Sequence, residues 1–520
     1  MLPHSRGSTV SLDRARLGLA LAASAIFALV LWRTAWMSDD AFITLRTIDN
    51  VVNGYGLRWN PAERVQTFTH PAWLLVLTPI YAITREPYFT TLAVQACVAV
   101  GSLFLVLRFV APTLGQAAIA AAVMLSAKAL TDFSTSGLEN PLTHAALTGV
   151  FVLWRARSAS RWADAWLLAA ASVAVLCRQD LVLLLLPVLA TRMLRRPRPH
   201  LWSLLIGILP VVLWETFSLV YYGALVPNTA LAKLGTGVPV TDLMWQGLLY
   251  WRATFLLDPV TVIAIVSGAV VLGVAYGSAG RLIALGGLCY GLYVVRVGGD
   301  FMSGRFLTPL LFWILLGIAG LPAAMWRPRR PWLAFVPAGI VLVAGLASPG
   351  TPPLLSGAEF GGNPRDEQKW EDGVGDERRF YYPTLGLLRK LGYGGGRVDN
   401  PWAQAGLAAR ARSQEAQSVA AGNVGLFGYY AGPRVHIIDR NALCDPLLAR
   451  LPAKSGWRIG HFTRDVPDGY VDGWRRGVNG LTDPGLFAYY ERIRLVTEGP
   501  LWAAARWRAI VMLTTGRLTP

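Results

Sequence analysis

Four cysteines in 520 residues are too few for a disulfide-stapled fold, and Cys97, Cys177 and Cys289 lie in apolar runs, leaving only Cys444 in a polar stretch. His4, His70, His144, His200, His436 and His461 are too dispersed for a spacing-defined metal site. Asp439, Asp445, Asp465 and Asp468 lack the spacing of an EF-hand loop. There is no Walker A loop, no glycine-rich nucleotide fingerprint after a strand and no nucleophile elbow. Nucleotide-driven chemistry is therefore unsupported, and neither a cofactor nor a divalent metal is expected. Internal repeats and long low-complexity tracts are also missing. Acid is outnumbered, with 31 Asp and Glu against 48 Lys and Arg, for a formal charge of +17.

What the chain has in quantity is apolar sequence: 54% of its residues are hydrophobic, in repeated lipid-length runs. The arginines gather between those runs, at Arg14 and Arg16 and over 155–161, 192–198 and 327–330. That distribution fits the positive-inside rule better than a nucleic-acid surface, so the expected partner is the lipid bilayer, with no nucleic acid. Residues 17–36 make a run of about 20, enough to cross ~30 Å of hydrocarbon. Their basic N-terminal flank and the lack of a small-residue cleavage site at Ser38-Asp39-Asp40 indicate a retained signal anchor. The N-terminus is then cytoplasmic and Asp39 and Asp40 lie outside.

Further runs at 87–109, 112–130, 137–154, 163–177, 181–194, 201–221, 260–276, 282–297, 306–325 and 331–347 bring the count to about eleven spans. The stretch 71–84 is short for a span. If it does not cross, the basic loop at 155–161 falls inside, as the charge rule asks. Between the runs, 38–53 carries apolar residues at Ala41, Leu45, Ile48 and Val52, with Ser38 as N-cap and Gly54 as stop. It is expected as an amphipathic helix on the outer membrane surface. Residues 223–258 read as a polar outer loop. From Ser348 the composition turns charged and turn-rich, with short strands expected at 423–430 and 435–439 and a connector over 350–375. The expected fold is an all-α polytopic membrane bundle over 1–347, with a first outer loop at 37–71. A C-terminal mixed α/β extracytoplasmic domain follows over 348–520, and the whole is a multi-pass protein of the plasma membrane.

This topology gathers Asp39, Asp40, Glu139, His144, Arg178, Asp180, Asn228, Lys233, Arg296, Asp300 and Arg305 at or near the outer boundary. Ionised groups are costly in lipid, about 2.5 to 3.5 kcal/mol at the helix centre, so such residues face a cavity or a partner. Asp39 and Asp40 complement the dipole of a helix they begin; alternatively, one carboxylate accepts the proton of an acceptor hydroxyl. Arg178, Lys233 and Arg305 suit a phosphate, or close salt bridges with Asp180, Glu139 or Asp300. The glycines around Asp300 and Arg305 suit close backbone approach to a ligand. His70 before Pro71 is a turn histidine or a cavity residue.

Ser-Asp-Asp-Ala-Phe after the first span, Asn-Gly-Tyr-Gly-Leu-Arg-Trp-Asn-Pro, Thr-His-Pro, Arg-Gln-Asp, Val-Pro-Asn-Thr-Ala-Leu-Ala-Lys and Gly-Gly-Asp-Phe-Met-Ser-Gly-Arg-Phe together resemble the GT-C glycosyltransferases. Within that class the chain is most similar to the terminal β-(1→2) arabinofuranosyltransferases of actinobacterial cell walls. The likeness continues through Ile438-Asp439-Arg440, 445–450 and Arg458-Ile459-Gly460-His461. It implies a polyprenyl-phosphate sugar donor, a glycan acceptor and transfer on the outer face of the plasma membrane. It also implies a catalytic carboxylate at Asp39 or Asp40, with Arg178, Lys233 and Arg305 as candidates for the donor phosphate. His70, Glu139, Asp180, Asn228 and Asp300 are the candidate cavity residues. The alternatives are a GT-C mannosyl or other hexosyl transferase acting on protein or O-antigen, and a noncatalytic glycolipid-binding envelope protein.

Overall fold

The computed structural model describes residues 6–156, 160, 162–194, 201–325, 330–361, 372–392, 399–412 and 417–516. The chain is mostly helical. Its elements are α1 (Arg6–Thr34), α2 (Asp39–Val52), α3 (Pro71–Thr84), α4 (Pro87–Leu105), α5 (Leu114–Ser126), α6 (Lys128–Asp132), α7 (Asn140–Arg155), α8 (Ala163–Cys177), α9 (Leu181–Leu194) and α10 (Leu201–Tyr221). Next come α11 (Asn228–Leu234), α12 (Val240–Leu257), α13 (Pro259–Ala275), α14 (Gly277–Arg296), α15 (Thr308–Ala319), α16 (Val336–Leu346), α17 (Glu377–Leu385) and α18 (Leu387–Gly392). The last are α19 (Pro401–Arg412), β1 (Gln417–Ala421), α20 (Gly425–Ala431), β2 (Val435–Asp439), α21 (Tyr470–Arg476), α22 (Pro484–Thr497) and α23 (Ala504–Thr514).

Four helices among the described residues are long and apolar enough to cross a membrane: 13–34, 87–110, 201–221 and 277–296. A fifth span results if 240–257 and 259–274, bent by 113° at their junction, count as one, and six shorter apolar helices accompany them. The stretch 223–258, expected as a polar loop, holds α11 and α12 instead. Its apolar residues are spaced closely enough for a helix, and the polar ones between them suggested a loop. The basic runs at 195–198 and 327–329, and residues 362–371 of the expected connector, lie outside the described residues.

The chain forms two compact units: Met1–Met37, Thr91–Leu209 and Leu243–Gly395 make the first, and Ser38–Thr90, Pro210–Asp242 and Gly396–Pro520 the second. The expected cut at 347/348 falls inside the first unit. Buried ion pairs hold the chain after 348 there, with Lys128 reaching Asp376 at 3.0 Å and Arg378 reaching Asp132 at 3.1 Å. Arg378 also lies 3.9 Å over the buried Phe360 ring.

In unit one the helices alternate in direction. Arg108, past the end of α4, pairs with Asp13 near the start of α1 at 2.9 Å, and Arg16 donates to the Arg108 and Ala111 carbonyls. Residues 34 and 91 therefore share one end of the unit, the parity that a non-crossing 71–84 requires. At that end the Gln95 amide bonds Gly137 and Leu138, and Trp36 donates to the Asp132 carbonyl. Arg192 pairs with Asp164 where α9 ends and α8 begins, and Arg155 ends α7, so both lie a helix length away from Arg178, Leu181 and Asn140.

Unit two is built around α2. The Ser38 hydroxyl accepts the Ala41 N–H and Gly54 follows the last turn at φ +83, so both expected boundaries hold. The expected position on a membrane surface does not hold, because ten of the 14 residues of α2 are buried, Asp39, Thr44, Arg46, Thr47 and Asn50 among them. The reason is that its polar face finds protein partners. Arg46 donates to the carbonyls of Trp59, Gly428 and Val435 and lies 4.5 Å over the Trp59 ring. Asn50 donates to the Arg58 and Trp59 carbonyls. The Asn60 amide pairs with both backbone groups of Ile437 and so acts as a substitute strand beside β2.

The strand expected at 435–439 is β2, paired parallel to β1 with Ala421 opposite Asp439. The one expected at 423–430 is the helix α20, which links the two strands. A short apolar run does not reveal its periodicity, and a parallel pair needs a crossover between its strands. Arg46→Leu leaves several buried carbonyls unpaired, each worth roughly 1 to 3 kcal/mol. The expected result is a fall of several degrees in the melting temperature of the detergent-solubilised protein. An unchanged melting temperature contradicts the clamp role of Arg46.

Candidate active site

Consecutive residues on a helix point about 100° apart, so Asp39 and Asp40 leave the first turn of α2 in different directions. Asp39 turns inward and is 7% exposed. Its Oδ1 accepts the Leu426 N–H at 2.7 Å and its Oδ2 the Gly425 N–H at 3.1 Å, at the first turn of α20. A Cβ on Gly425 would lie 1.8 Å from the Asp39 carbonyl oxygen, so only glycine allows this approach. Burial raises the Asp39 carboxyl to about 7, opposed by the Leu426 amide and reinforced by Asp40. Both oxygens of Asp39 are thus used in holding α2 to α20.

Asp40 is half-buried and acts electrostatically on His461, together with Arg458 and Lys233. Each of those three is also half-buried. Arg458 and His461 flank a tight turn, in which the His461 N–H donates to the Arg458 carbonyl at 2.9 Å and Gly460 takes φ +75. The Lys454 N–H donates to the Thr463 carbonyl and closes the hairpin behind that turn. Backbone bonding from Ala453 to Thr236, and from the Arg464 guanidinium to the Ala232 carbonyl, fixes the hairpin to α11 and the loop after it, beside Lys233. Burial and the Arg458 charge hold His461 below the usual imidazole range, against the pull of Asp40.

Asn228 directs its amide at the carbonyls of Ala442, Leu443 and Asp445, 3.0 to 3.1 Å away, and fixes the loop after β2. In that loop Asp439 accepts from the amides of Asn441 and Cys444, and burial lifts its carboxyl to about 7. His70 is buried, with Nε2 at 2.8 Å from the Thr44 hydroxyl on α2, and precedes α3. Asp39, Asp40, His70, Asn228 and Lys233 all belong to unit two.

The other five candidates belong to unit one, where the ends of α7, α8, α9, α14 and α15 meet. Arg178 makes a two-toothed bond to Asp180, at 3.1 and 2.6 Å, and reaches Glu139 at 3.1 Å. Arg305 lies 3.6 Å from the same Glu139 oxygen and 3.4 Å from Asp300. Both guanidiniums lie over the Phe306 ring, at 4.6 and 5.8 Å. Two arginines face three carboxylates, and Glu139 and Asp300 are each 1% exposed. This is the salt-bridge alternative to the phosphate reading of Arg178 and Arg305, and it leaves no excess positive charge there for a donor phosphate.

Sequence reasoning missed a second buried charge network in unit one. Lys128 pairs with Asp132 and Asp376, Arg378 bonds Asp132 and Ser356, and Asp258 accepts from Ala129 and Thr261. These groups border a pocket with space for about one water molecule. The available signal was Lys128 and Asp132, one helical turn apart at the end of an apolar run. Arg458 and His461 appeared only as part of the family likeness, since nothing local links them to Asp40.

A helical, apolar chain with a half-buried carboxylate among basic groups fits the class of membrane glycosyltransferases, and proteins of that class are its relatives. The chain is 29% identical to the terminal β-(1→2)-arabinofuranosyltransferase of Mycobacterium tuberculosis over 549 aligned residues, covering 87% of this chain and 85% of that protein. It is 31% identical to the terminal β-(1→2)-arabinofuranosyltransferase of Corynebacterium glutamicum over 341 aligned residues, covering 56% of this chain and 48% of that protein. The resemblance stated from the motifs, and the glycosyltransferase class it implied, are borne out by these relatives. No family model matches the chain. Among solved structures, ArnT from Cupriavidus metallidurans bound to undecaprenyl phosphate is 13% identical with a TM-score of 0.44, over 85% of this chain and 87% of that one. The arabinofuranosyltransferase AftD from Mycobacteria is 14% identical with a TM-score of 0.38, over 83% of this chain and 32% of that one. Neither overlap is close enough to carry an argument.

Asp39 and Asp439 ionise near pH 4 in an unfolded chain and near pH 7 here. Between those values the folded chain keeps protons that the unfolded chain has released, so stability falls as pH rises through that window. The melting temperature is expected to be lower at pH 8 than at pH 5.5, and Asp39→Asn to flatten part of the difference. A melting temperature that rises steadily from pH 5.5 to 8 contradicts this. Arg178→Met strands Glu139 and Asp180 and is expected to cost about 3 to 5 kcal/mol of stability, read by denaturation in detergent. A loss below about 1 kcal/mol contradicts the buried-pair account.

Proposed function

We propose that this chain is a membrane glycosyltransferase that moves an arabinofuranosyl residue from a polyprenyl-phosphate donor to a cell-envelope glycan on the outer face of the plasma membrane. The observation that carries this reading is sequence likeness over 87% of the chain to a terminal β-(1→2)-arabinofuranosyltransferase. The carboxylate pair of α2 supports it. Asp39 is engaged by the α20 amides, whereas Asp40 is half-buried among basic groups. Asp40 is therefore the carboxylate assigned to the chemistry. It takes the proton of the acceptor hydroxyl as that oxygen bonds to C1 of the donor sugar. The departing phosphate needs little protonation, so no general acid is assigned.

If donor and product are both β-linked, one in-line displacement does not retain configuration. Retention follows either from attack on the leaving-group face or from two displacements, with an Asp40 oxygen attacking C1 first. Mass spectrometry of a trapped, sugar-bearing peptide separates the two routes. For orientation, we place the N-terminus in the cytoplasm and unit two outside. Arg14 and Arg16, which flank the first apolar helix on its N-terminal side, support this.

Purified protein, a lipid-linked arabinofuranose and an arabinan fragment, with the product read by mass spectrometry, test the reading. Wild type is expected to add one pentose, and Asp40→Asn to lose on the order of a hundredfold or more in turnover. Undiminished transfer by Asp40→Asn removes Asp40 from the chemistry, and transfer from lipid-linked hexoses alone removes the arabinose assignment.

A further inference from the structure

We propose that the helix α23 anchors unit two in the interfacial layer of the bilayer, with Trp502, Arg508 and Val511 set among lipid headgroups and the upper acyl chains. The proposal needs α10 to cross the bilayer and does not depend on the glycosyltransferase reading. Position is its first support. The 21 residues of α10 rise about 31 Å, so the ~30 Å of hydrocarbon is used up by Tyr221. It is to Tyr221 that α23 is tied. The buried Arg506 guanidinium donates to the carbonyls of Tyr221 at 3.1 Å, Val496 at 2.9 Å and Leu501 at 3.1 Å. Arg64 donates to the same Tyr221 carbonyl at 3.1 Å. Leu219, in the last turn of α10, packs against Val496, Ala509 and Ile510. Gly223, at φ +76, permits the approach, since a Cβ there would lie 2.4 Å from Val496 Cγ1 and 3.1 Å from Ile510 Cγ1. The start of α23 is thus fixed at the level where hydrocarbon ends.

The second support is the face that α23 leaves bare. Arg506, Ala509 and Ile510 are buried, whereas Ala504, Ala505, Arg508 and Val511 form an exposed stripe opposite them. Trp502, just before the helix, is 75% exposed and Val511 52%. The Trp502 and Trp507 rings stack with centroids 6.5 Å apart. A helix that is apolar on both faces belongs in a core or in lipid, and the 11 residues of α23 rise only about 16 Å, too little to cross. No acidic residue occurs from Gly499 to Gly516. Arg508 makes no hydrogen bond or ion pair among the described residues. By contrast, α21 and α22 of the same unit expose Asp472, Arg475, Arg476, Glu491 and Arg492, as water-facing helices do.

Lipid accounts for this face because the bare surface continues that of the spanning helix. Val212, Leu213 and Phe217 are exposed on α10, and Leu225 and Val226 are exposed beyond its end. Val226 and Leu513 of α23 border one pocket with Tyr222 and Val496, so the two apolar surfaces meet. Tryptophan suits the boundary, since its ring is apolar and its N–H seeks a polar partner. Arg508 can lay its stem along the apolar surface and carry its charge to a lipid phosphate. The anchor fixes the depth of unit two, and of α2 within it, against the bilayer surface.

The test uses the full chain in nanodiscs of phosphatidylcholine and phosphatidylglycerol, with Cys97→Ser and Cys289→Ser removing the cysteines that are not buried. A nitroxide on Val511→Cys reports access to oxygen, which concentrates in lipid, and to a water-soluble nickel chelate, read by power saturation. Nitroxides on Leu213→Cys of α10 and Arg475→Cys of α21 give the lipid and water references. The Val511→Cys label is expected to favour oxygen over nickel, with a ratio between the two references. Ala505→Cys, on the same face, should behave alike and serves where Val511→Cys lowers the melting temperature. Adding Trp502→Ser and Val511→Ser should shift the Ala505→Cys ratio toward the water reference. A Val511→Cys label as open to nickel as the Arg475→Cys label overturns the proposal. So does a label closed to both reagents, the sign of a second copy or another protein over the face. Nickel access at Leu213→Cys shows that α10 does not cross and overturns the anchor too, whereas sugar transfer by the same preparation tests the glycosyltransferase reading separately.

Discussion

The constraint on which unit two depends is the contact of one carboxylate with two amides. Asp39 meets the N–H groups of Gly425 and Leu426 across 386 and 387 residues of sequence, and Gly425 must lack a Cβ for the backbones to come so near. The contact orients α2 about its axis. With that helix fixed by Asp39 at its start and by Arg46 at its middle, the next residue, Asp40, has one direction left to face. An acidic pair that looks redundant in sequence becomes two different groups, one buried and bonded to backbone, the other half-exposed among cations.

Charge is handled differently in the two units. In unit one, arginines and carboxylates neutralise one another where helix ends meet, as in Arg178 with Asp180 and Glu139. Breaking such a pair is costly, but the pair adds little to the function of a site. In unit two, Arg46, Arg64, Arg464 and Arg506 spend their donors on backbone carbonyls. Each replaces several strand or helix bonds that irregular chain cannot make, and so allows a compact unit with only two short strands.

The features legible in sequence were the local ones. Ser38 and Gly54 mark the ends of α2 because cap chemistry and left-handed φ are set within a few residues, and β2 shows as Val-His-Ile-Ile-Asp because β-branched residues run together. Arg178-Gln179-Asp180 holds its own ion pair two residues apart, so its salt-bridge alternative was visible too. What was hidden depended on distant partners. The burial of α2 follows from carbonyls at Gly428 and Val435, which no periodicity reveals. The helix α20 was hidden because Gly-Leu-Phe-Gly-Tyr-Tyr carries no clear period, and its first glycine is explained only by Asp39. The nearness of Asp40, Lys233 and His461 is tertiary altogether.

The account's central claim is a division of labour in which Asp39 holds the helix and Asp40 faces the donor. A density map of the chain trapped with its lipid-phosphate sugar tests it most directly. The account predicts the sugar beside Asp40 and Asp39 still bonded to Gly425 and Leu426. An Asp39 carboxylate released from α20 and turned to the sugar contradicts it.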